Sequence, residues 1–139
     1  MFDEALLVHQ PPVFVRYHGR MGTWAAGPFG NDAAMDFVGG VIDSLMIPVK
    51  EFVEAPAIDE SFDPAFAAIA LLNGIMERTS ARPWSGGGVV EGGPIRQALL
   101  RCFDEQIDEL EPDDDYKRDQ RAALVETLDR FVALLADEG

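Results

Sequence analysis

The sequence predicts an all-α protein: a single compact bundle of four main helices and one short helix, preceded by an irregular N-terminal arm. Apolar residues recur every three or four positions along four segments, which is the pattern of helices that bury one face. Prolines and capping residues stand where those segments begin. Hydrophobic residues make up 47% of the 139 residues, which is enough to fill the core of one domain.

Residues 1–20 differ from the rest of the chain. They contain Pro11-Pro12 and a short apolar run without helical periodicity, and they lack the charged start and long apolar core of a signal peptide. Two interpretations stay open: an N-terminal extension that belongs to the protein, and a mis-called start upstream of Met21. In both, residues 21–139 are predicted to form a single helical domain.

The first two main helices are predicted between residues 31 and 78. Asn31 or Asp32 caps the first, because either side chain can accept hydrogen bonds from the free amides of the first turn. Pro48 interrupts its apolar stripe, and proline favours a first helical turn, so a separate short helix is predicted over Pro48–Glu54. The second main helix begins at Asp63-Pro64. It carries no charge from residue 64 to residue 76 and is predicted to lie in the middle of the bundle.

Residues 80–93 are predicted to be a flexible loop between the second and third main helices. The segment contains Gly86-Gly87-Gly88 and shows no strand pattern. It lacks the lysine–hydroxyl pair of a phosphate-binding P-loop, which disfavours a phosphate site. Gly93-Pro94 begins the third main helix, Pro112 ends it, and Asp113–Asp115 begin the fourth.

The net charge restricts the class of partner, and the cysteine content restricts the cellular compartment. A formal net charge of −14 repels nucleic acid and anionic lipid and attracts basic proteins. No apolar run approaches the roughly 20 residues that a membrane span needs. The single cysteine excludes an internal disulfide and suits a reducing compartment. We therefore expect a cytoplasmic protein that binds neither nucleic acid nor membrane; its oligomeric state is not predicted.

The sequence contains few of the residues that common catalytic sites use. Both histidines, His9 and His18, precede residue 21, and neither is expected to take part in catalysis. Cys102 lies on the apolar side of its helix and is predicted to be a core thiol with a raised pKa. These observations favour a binding protein over an enzyme, with no catalytic residue, cofactor or metal.

A loop rich in aromatic residues and glycine leads into the first helix over residues 21–37. Asp32 and Asp36 are one turn apart there, a spacing at which two carboxylates can act as acid and base or bind a hard cation. Acidic residues near a helix N-terminus also stabilise the helix dipole, which is the alternative explanation. The residues of this candidate pocket are Trp24, Gly27, Phe29, Asn31, Asp32 and Asp36.

The same stretch closely resembles the opening of a family of small bacterial domains of unknown function. Members of that family begin near M-G-T-W-G-x-G-P-F-x-N-D-x-A-x-D, which is matched here from Met21 to Asp36. The resemblance implies a start at Met21 and implies no activity. Ala25 stands where relatives commonly carry glycine, and the later helices match only as a general pattern.

The densest charge feature is a run that we call the acidic belt, eight acidic residues without a base between residues 104 and 115. Its members are Asp104, Glu105, Asp108, Glu109, Glu111, Asp113, Asp114 and Asp115. Like charges four residues apart destabilise a helix by roughly 0.2–0.5 kcal/mol per pair. The belt is interpreted as a face for a basic protein or as a solvated surface. A calcium site is the weaker alternative, because the EF-hand pattern is absent.

Two functions from different classes follow. The first is an acidic interaction module that binds a basic protein stoichiometrically, as an immunity protein or antitoxin does. It depends on the net charge, the acidic belt and the small number of residues that could act in catalysis. The alternative is a small enzyme or a metal- or ligand-binding protein that uses Asp32 and Asp36 beside Trp24 and Phe29.

Overall fold

The computed structural model describes residues 25–137, so the predicted arm and Trp24 lie outside the described residues. The helices are α1 (Asp32–Glu54), α2 (Phe62–Arg78), α3 (Gly92–Gln106) and α4 (Asp114–Ala136), with a 3-10 helix at Ile107–Leu110. Two strands, β1 (Trp84–Ser85) and β2 (Gly88–Val89), lie between α2 and α3. The predicted helical bundle with four main helices is confirmed. None of the helices in residues 25–137 is long and apolar enough to cross a membrane.

The chain divides into two compact units between Val38 and Gly39. In the first unit, residues 25–30 form a turn that the Gly30 N–H closes by donating to the Gly27 carbonyl at 3.1 Å. A side chain at Gly30 has no room, because a Cβ there would lie 2.5 Å from the Ala25 carbonyl oxygen. Asn31 Oδ1 then accepts the Ala34 N–H at 2.8 Å, so Asn31 is the residue that caps α1.

Pro48 lies inside α1 and does not end it, so the prediction of a separate short helix over Pro48–Glu54 is wrong. A proline inside a helix costs about 3 kcal/mol relative to alanine, because its missing N–H and its ring disturb the preceding turn. Met46, Val49 and Phe52 continue one buried stripe across the proline. Each fully buried large side chain contributes about 1.5–3 kcal/mol, which together outweigh the local penalty.

Three ring contacts centre on Phe62 at the start of α2. The Phe62 ring lies 6.0 Å from Phe52 of α1, 5.9 Å from Phe66 and 6.1 Å from Phe103 of α3, measured between centroids. Tilted and edge-on pairs at such distances add to the stabilisation from area burial alone. The aromatic cluster therefore ties α2 to α1 and α3.

The second main helix, α2, contacts each of the other three main helices, but one of its faces is exposed. α4 packs against both α2 and α3. α2 was predicted to lie in the middle of the bundle, but it buries only one face, and Leu71 on the other face is 58% exposed. Apolar composition alone does not identify a central helix, since single exposed apolar residues are common on protein surfaces.

The segment predicted as a flexible loop contains a short antiparallel hairpin. Trp84 pairs with Val89 and Ser85 with Gly88. Strands of two residues are too short to produce an alternating pattern. The local signal is the Gly86-Gly87 pair, because glycine tolerates the positive φ of a two-residue hairpin turn and Gly86 has a φ of 65°. α3 also begins earlier than predicted, at Gly92, which is buried against α4.

Candidate functional site

The acidic belt surrounds the connection between α3 and α4. Asp104 and Glu105 end α3, Asp108 and Glu109 lie in the 3-10 helix, and the remaining members lie in the connection and the first turn of α4. All eight belt residues are exposed. Because α3 and α4 pack against each other, residues of α4 that follow the belt lie beside it.

Asp104 forms the best-defined ion pair of the belt. Arg121 of α4 donates from Nε to Asp104 Oδ1 at 2.8 Å and from Nη2 to Oδ2 at 2.9 Å. This bidentate hydrogen bond lowers the pKa of the Asp104 carboxyl, although partial burial opposes it, and it raises the pKa of Arg121. Arg121 therefore compensates one end of the belt.

Two further bases of α4 contact the belt. Lys117 Nζ donates to Asp108 Oδ1 at 2.7 Å, and Arg118 Nη1 donates to Asp115 Oδ1 at 3.1 Å. Both pairs are exposed, so each contributes little stability in water. They nevertheless make the net negative charge of the belt smaller than its eight acidic residues predict.

Five belt residues keep an uncompensated charge. Within residues 25–137, no ion pair involves Glu105, Glu109, Glu111, Asp113 or Asp114. The field of this group reaches the core: burial raises the pKa of the Cys102 thiol, and Glu105 and Glu109 add to that rise. Cys102 is buried as predicted. The folded belt thus has three paired members, Asp104, Asp108 and Asp115, and five unpaired members, which we call the unpaired part of the belt.

A surface pocket of about 430 Å³ opens beside the unpaired part of the belt. Its apolar floor consists of the buried side chains of Ile58, Phe62 and Ile107. Leu110 and Tyr116 line it as well and remain 50% and 56% exposed. A half-exposed leucine and tyrosine beside a pocket form the kind of apolar patch that interaction surfaces use.

Three carboxylates line the same pocket. Asp63 comes from the first turn of α2, whereas Glu111 and Asp113 belong to the belt. Glu111 has a left-handed backbone with φ of 52°. Its N–H donates to the Asp108 carbonyl at 3.1 Å, which closes the 3-10 helix and turns the chain toward α4. The turn places two belt residues at the pocket.

Two glutamines complete this region. Gln106 Oε1 accepts the Ile58 N–H at 3.1 Å and so holds the segment before α2 against the end of α3. Gln120 lines the pocket from α4, and its buried Oε1 accepts no hydrogen bond from the described residues. This oxygen is buried beneath the surface and is not itself exposed in the pocket.

The candidate pocket at the opening motif is described only in part. Trp24 lies outside residues 25–137; Gly27 is exposed and Phe29 is half-buried. Asp32 and Asp36 are both exposed on the first turns of α1. Asn31 has a structural role as the helix cap. Among the described residues, no three His, Cys, Asp or Glu side chains gather in a way that could hold a metal ion.

Sequence reasoning missed the pocket residues outside the belt. Asp63 is more than forty positions before the belt, and it was interpreted only as a helix start. Tyr116 follows the belt directly, and an aromatic residue next to an acidic run was the one signal available.

Comparison of the chain with protein-family models, curated proteins and solved structures gave no match.

Proposed function

We propose that this protein is an acidic interaction module that binds a basic protein in a stoichiometric complex, as an immunity protein or antitoxin does. We propose further that it acts in the cytoplasm. The observation that carries the proposal is the unpaired part of the acidic belt, five exposed carboxylates of which Glu111 and Asp113 line a pocket with an apolar floor. Basic side chains of a partner would compensate these charges and relieve their mutual repulsion.

The apolar side chains beside the belt favour this function over a merely solvated surface. Charged residues alone are sufficient to keep a surface soluble. Leu110 and Tyr116 are 50% and 56% exposed and line the same pocket as Glu111 and Asp113, so they form one patch and are not single exposed residues. Tyrosine is enriched in the buried centres of protein interfaces, where a polar rim surrounds it.

The net charge supports the same function at longer range. A formal charge of −14 on 139 residues produces a negative potential that accelerates encounters with a basic protein. Such attraction weakens as salt screens it, with a Debye length of about 10 Å at 0.1 M. Binding should therefore become weaker and association slower as the ionic strength rises.

The test uses charge reversal at two unpaired belt residues. Glu105→Lys/Glu109→Lys changes the belt without breaking an ion pair, unlike a change at Asp108, which pairs with Lys117. A partner is first isolated from native lysate at low salt and identified, and the affinity of the purified pair is then measured by titration calorimetry. We expect the reversal to weaken binding at least about tenfold, since close charge pairs across interfaces are worth about 1.5 kcal/mol or more.

The matched control has the same change of charge on another surface. Asp43→Lys/Glu51→Lys reverses two exposed residues of α1 that have no ion pair in residues 25–137. We expect this variant to bind within about twofold of the original protein, apart from the loss of long-range attraction. Equal affinities for the belt variant and the original protein would contradict the proposal.

A further inference from the structure

We infer that the pocket lined by α2, the 3-10 helix and α4 is the anchor site for one arginine side chain of the basic partner. This inference rests on the proposed function, because it names the group by which that partner is held. The pocket brings together an apolar floor, a half-exposed tyrosine and three carboxylates. Each of these matches a different part of an arginine side chain.

The apolar part of the pocket fits the arginine stem. Ile58, Phe62 and Ile107 form a buried floor, and Leu110 lies beside it. Long basic side chains cover apolar surface with their methylene groups while the charged end reaches polar partners. A pocket of about 430 Å³ is at the small end of the range for ligand sites, as expected for one side chain.

The charged part of the pocket fits the guanidinium group. Asp63, Glu111 and Asp113 are exposed carboxylates, and the ten lining residues include no lysine or arginine. None of these three carboxylates forms an ion pair with another described residue. A guanidinium has five N–H donors in a fixed plane, so it can donate to more than one of these carboxylates at once.

Tyr116 distinguishes arginine from lysine as the occupant. A planar guanidinium stacks on an aromatic face and is more weakly hydrated than an ammonium group, so arginine loses less on leaving water. Tyr116 is 56% exposed at the pocket, and its chain neighbours Asp115 and Lys117 are ion-paired with Arg118 and Asp108. A cation over this ring is therefore worth about 0.5–1 kcal/mol in favour of binding.

The first experiment uses small peptides as probes. Acetylated and amidated Gly-Gly-Arg-Gly-Gly is titrated into the full chain, labelled with ¹⁵N, and amide chemical shifts are recorded at low salt. Peptides in which citrulline or lysine replaces arginine serve as comparison. We expect saturable shifts centred on residues 110–116 and 120, with dissociation constants of millimolar order. Citrulline, which has nearly the same shape without the charge, should bind at least about fivefold more weakly.

Charge-preserving variants test the pocket itself. Leu110→Ala and Tyr116→Ala remove half-exposed side chains, so the fold is retained and the belt keeps its charge. We expect Tyr116→Ala to weaken binding of the arginine peptide about threefold or more. Trp84→Ala is the matched control, since Trp84 is 61% exposed on the hairpin and does not line the pocket. It should leave the titration unchanged.

The outcomes separate this inference from the proposed function. If Leu110→Ala and Tyr116→Ala leave the affinity for the purified partner unchanged while Glu105→Lys/Glu109→Lys weakens it, the belt binds the partner and the arginine site is wrong. If neither set of variants has an effect, both proposals fail. Peptide shifts that spread evenly over all acidic residues, or that citrulline reproduces at equal concentration, would also overturn the arginine site.

Discussion

At the scale of single residues, Arg82 connects the end of α2 with the end of α4. Its Nη1 donates to the carbonyls of Met76, Thr79 and Ala81 at 3.2, 3.1 and 2.8 Å, around the end of α2. Its Nε donates to the Leu134 carbonyl near the end of α4 at 3.0 Å. Carbonyls at helix C-termini lack intrahelical donors and carry partial negative charge, so one guanidinium caps two helices.

We expect Arg82→Lys to lower the free energy of unfolding by about 2–3 kcal/mol, because an ammonium group cannot span the carbonyls that the planar fork reaches. The measurement is urea denaturation followed by circular dichroism. Arg101→Lys is the control, since Arg101 is exposed on α3 and forms no ion pair among the residues that the structure describes. A loss in the Arg82 variant no larger than in the control would show that the capping hydrogen bonds contribute nothing.

At the scale of elements, the contact between α3 and α4 depends on a residue without a side chain. A Cβ at Gly92 would lie 3.0 Å from Leu135 Cδ1 and 3.2 Å from Val132 Cα. The leucine methyl can move, but the Val132 Cα is main chain and moves only with α4. Gly92 therefore permits the two helices to approach closely where α3 begins.

We expect Gly92→Ala to destabilise the protein by about 1 kcal/mol, since overpacking costs about 1–3 kcal/mol and the better helix propensity of alanine returns less than about 1 kcal/mol. The adjacent Gly93 is the control, because a Cβ there meets no atom within 4 Å. Gly93→Ala should leave stability unchanged or raise it. The measurement is the melting temperature of each variant by thermal unfolding. Equal melting temperatures for the two variants would refute the packing role of Gly92.

At the scale of the whole molecule, the excess of negative charge predicts that repulsion between like charges opposes folding more than the ion pairs favour it. The formal net charge is −14. Six salt bridges are found in residues 25–137, and every side chain in them is at least 37% exposed. Exposed pairs are worth about 0–1 kcal/mol each, and salt weakens them as well as the repulsion.

We expect the melting temperature of the isolated protein to rise by several degrees between about 10 mM and 300 mM sodium chloride, because screening relieves the net repulsion of the compact state. Differential scanning calorimetry at constant pH measures this change. A melting temperature that falls with salt would mean that the ion pairs outweigh the repulsion. Glu105→Lys/Glu109→Lys lowers the net negative charge and should reduce the dependence on salt.

The helices could be predicted because their signals are local. The Asn31 cap and the acids that begin α4 lie within one turn of the boundaries that they define. The prediction failed at Pro48, where burial on both sides of the proline outweighs a local preference. The belt could also be predicted, since its eight members lie within twelve consecutive positions of the sequence. The resemblance of the opening motif to a bacterial family stays a prediction.

By itself, the sequence determined the all-helical class, the excess of negative charge and the position of the acidic belt, because each depends on residues near one another in the chain. Only the tertiary structure decided which carboxylates keep their charge and which are paired, since Arg121 reaches Asp104 across two packed helices. It also decided that Asp63 and Tyr116 line one pocket with the belt. Such proximity arises from packing between distant segments, which no local pattern of residues encodes.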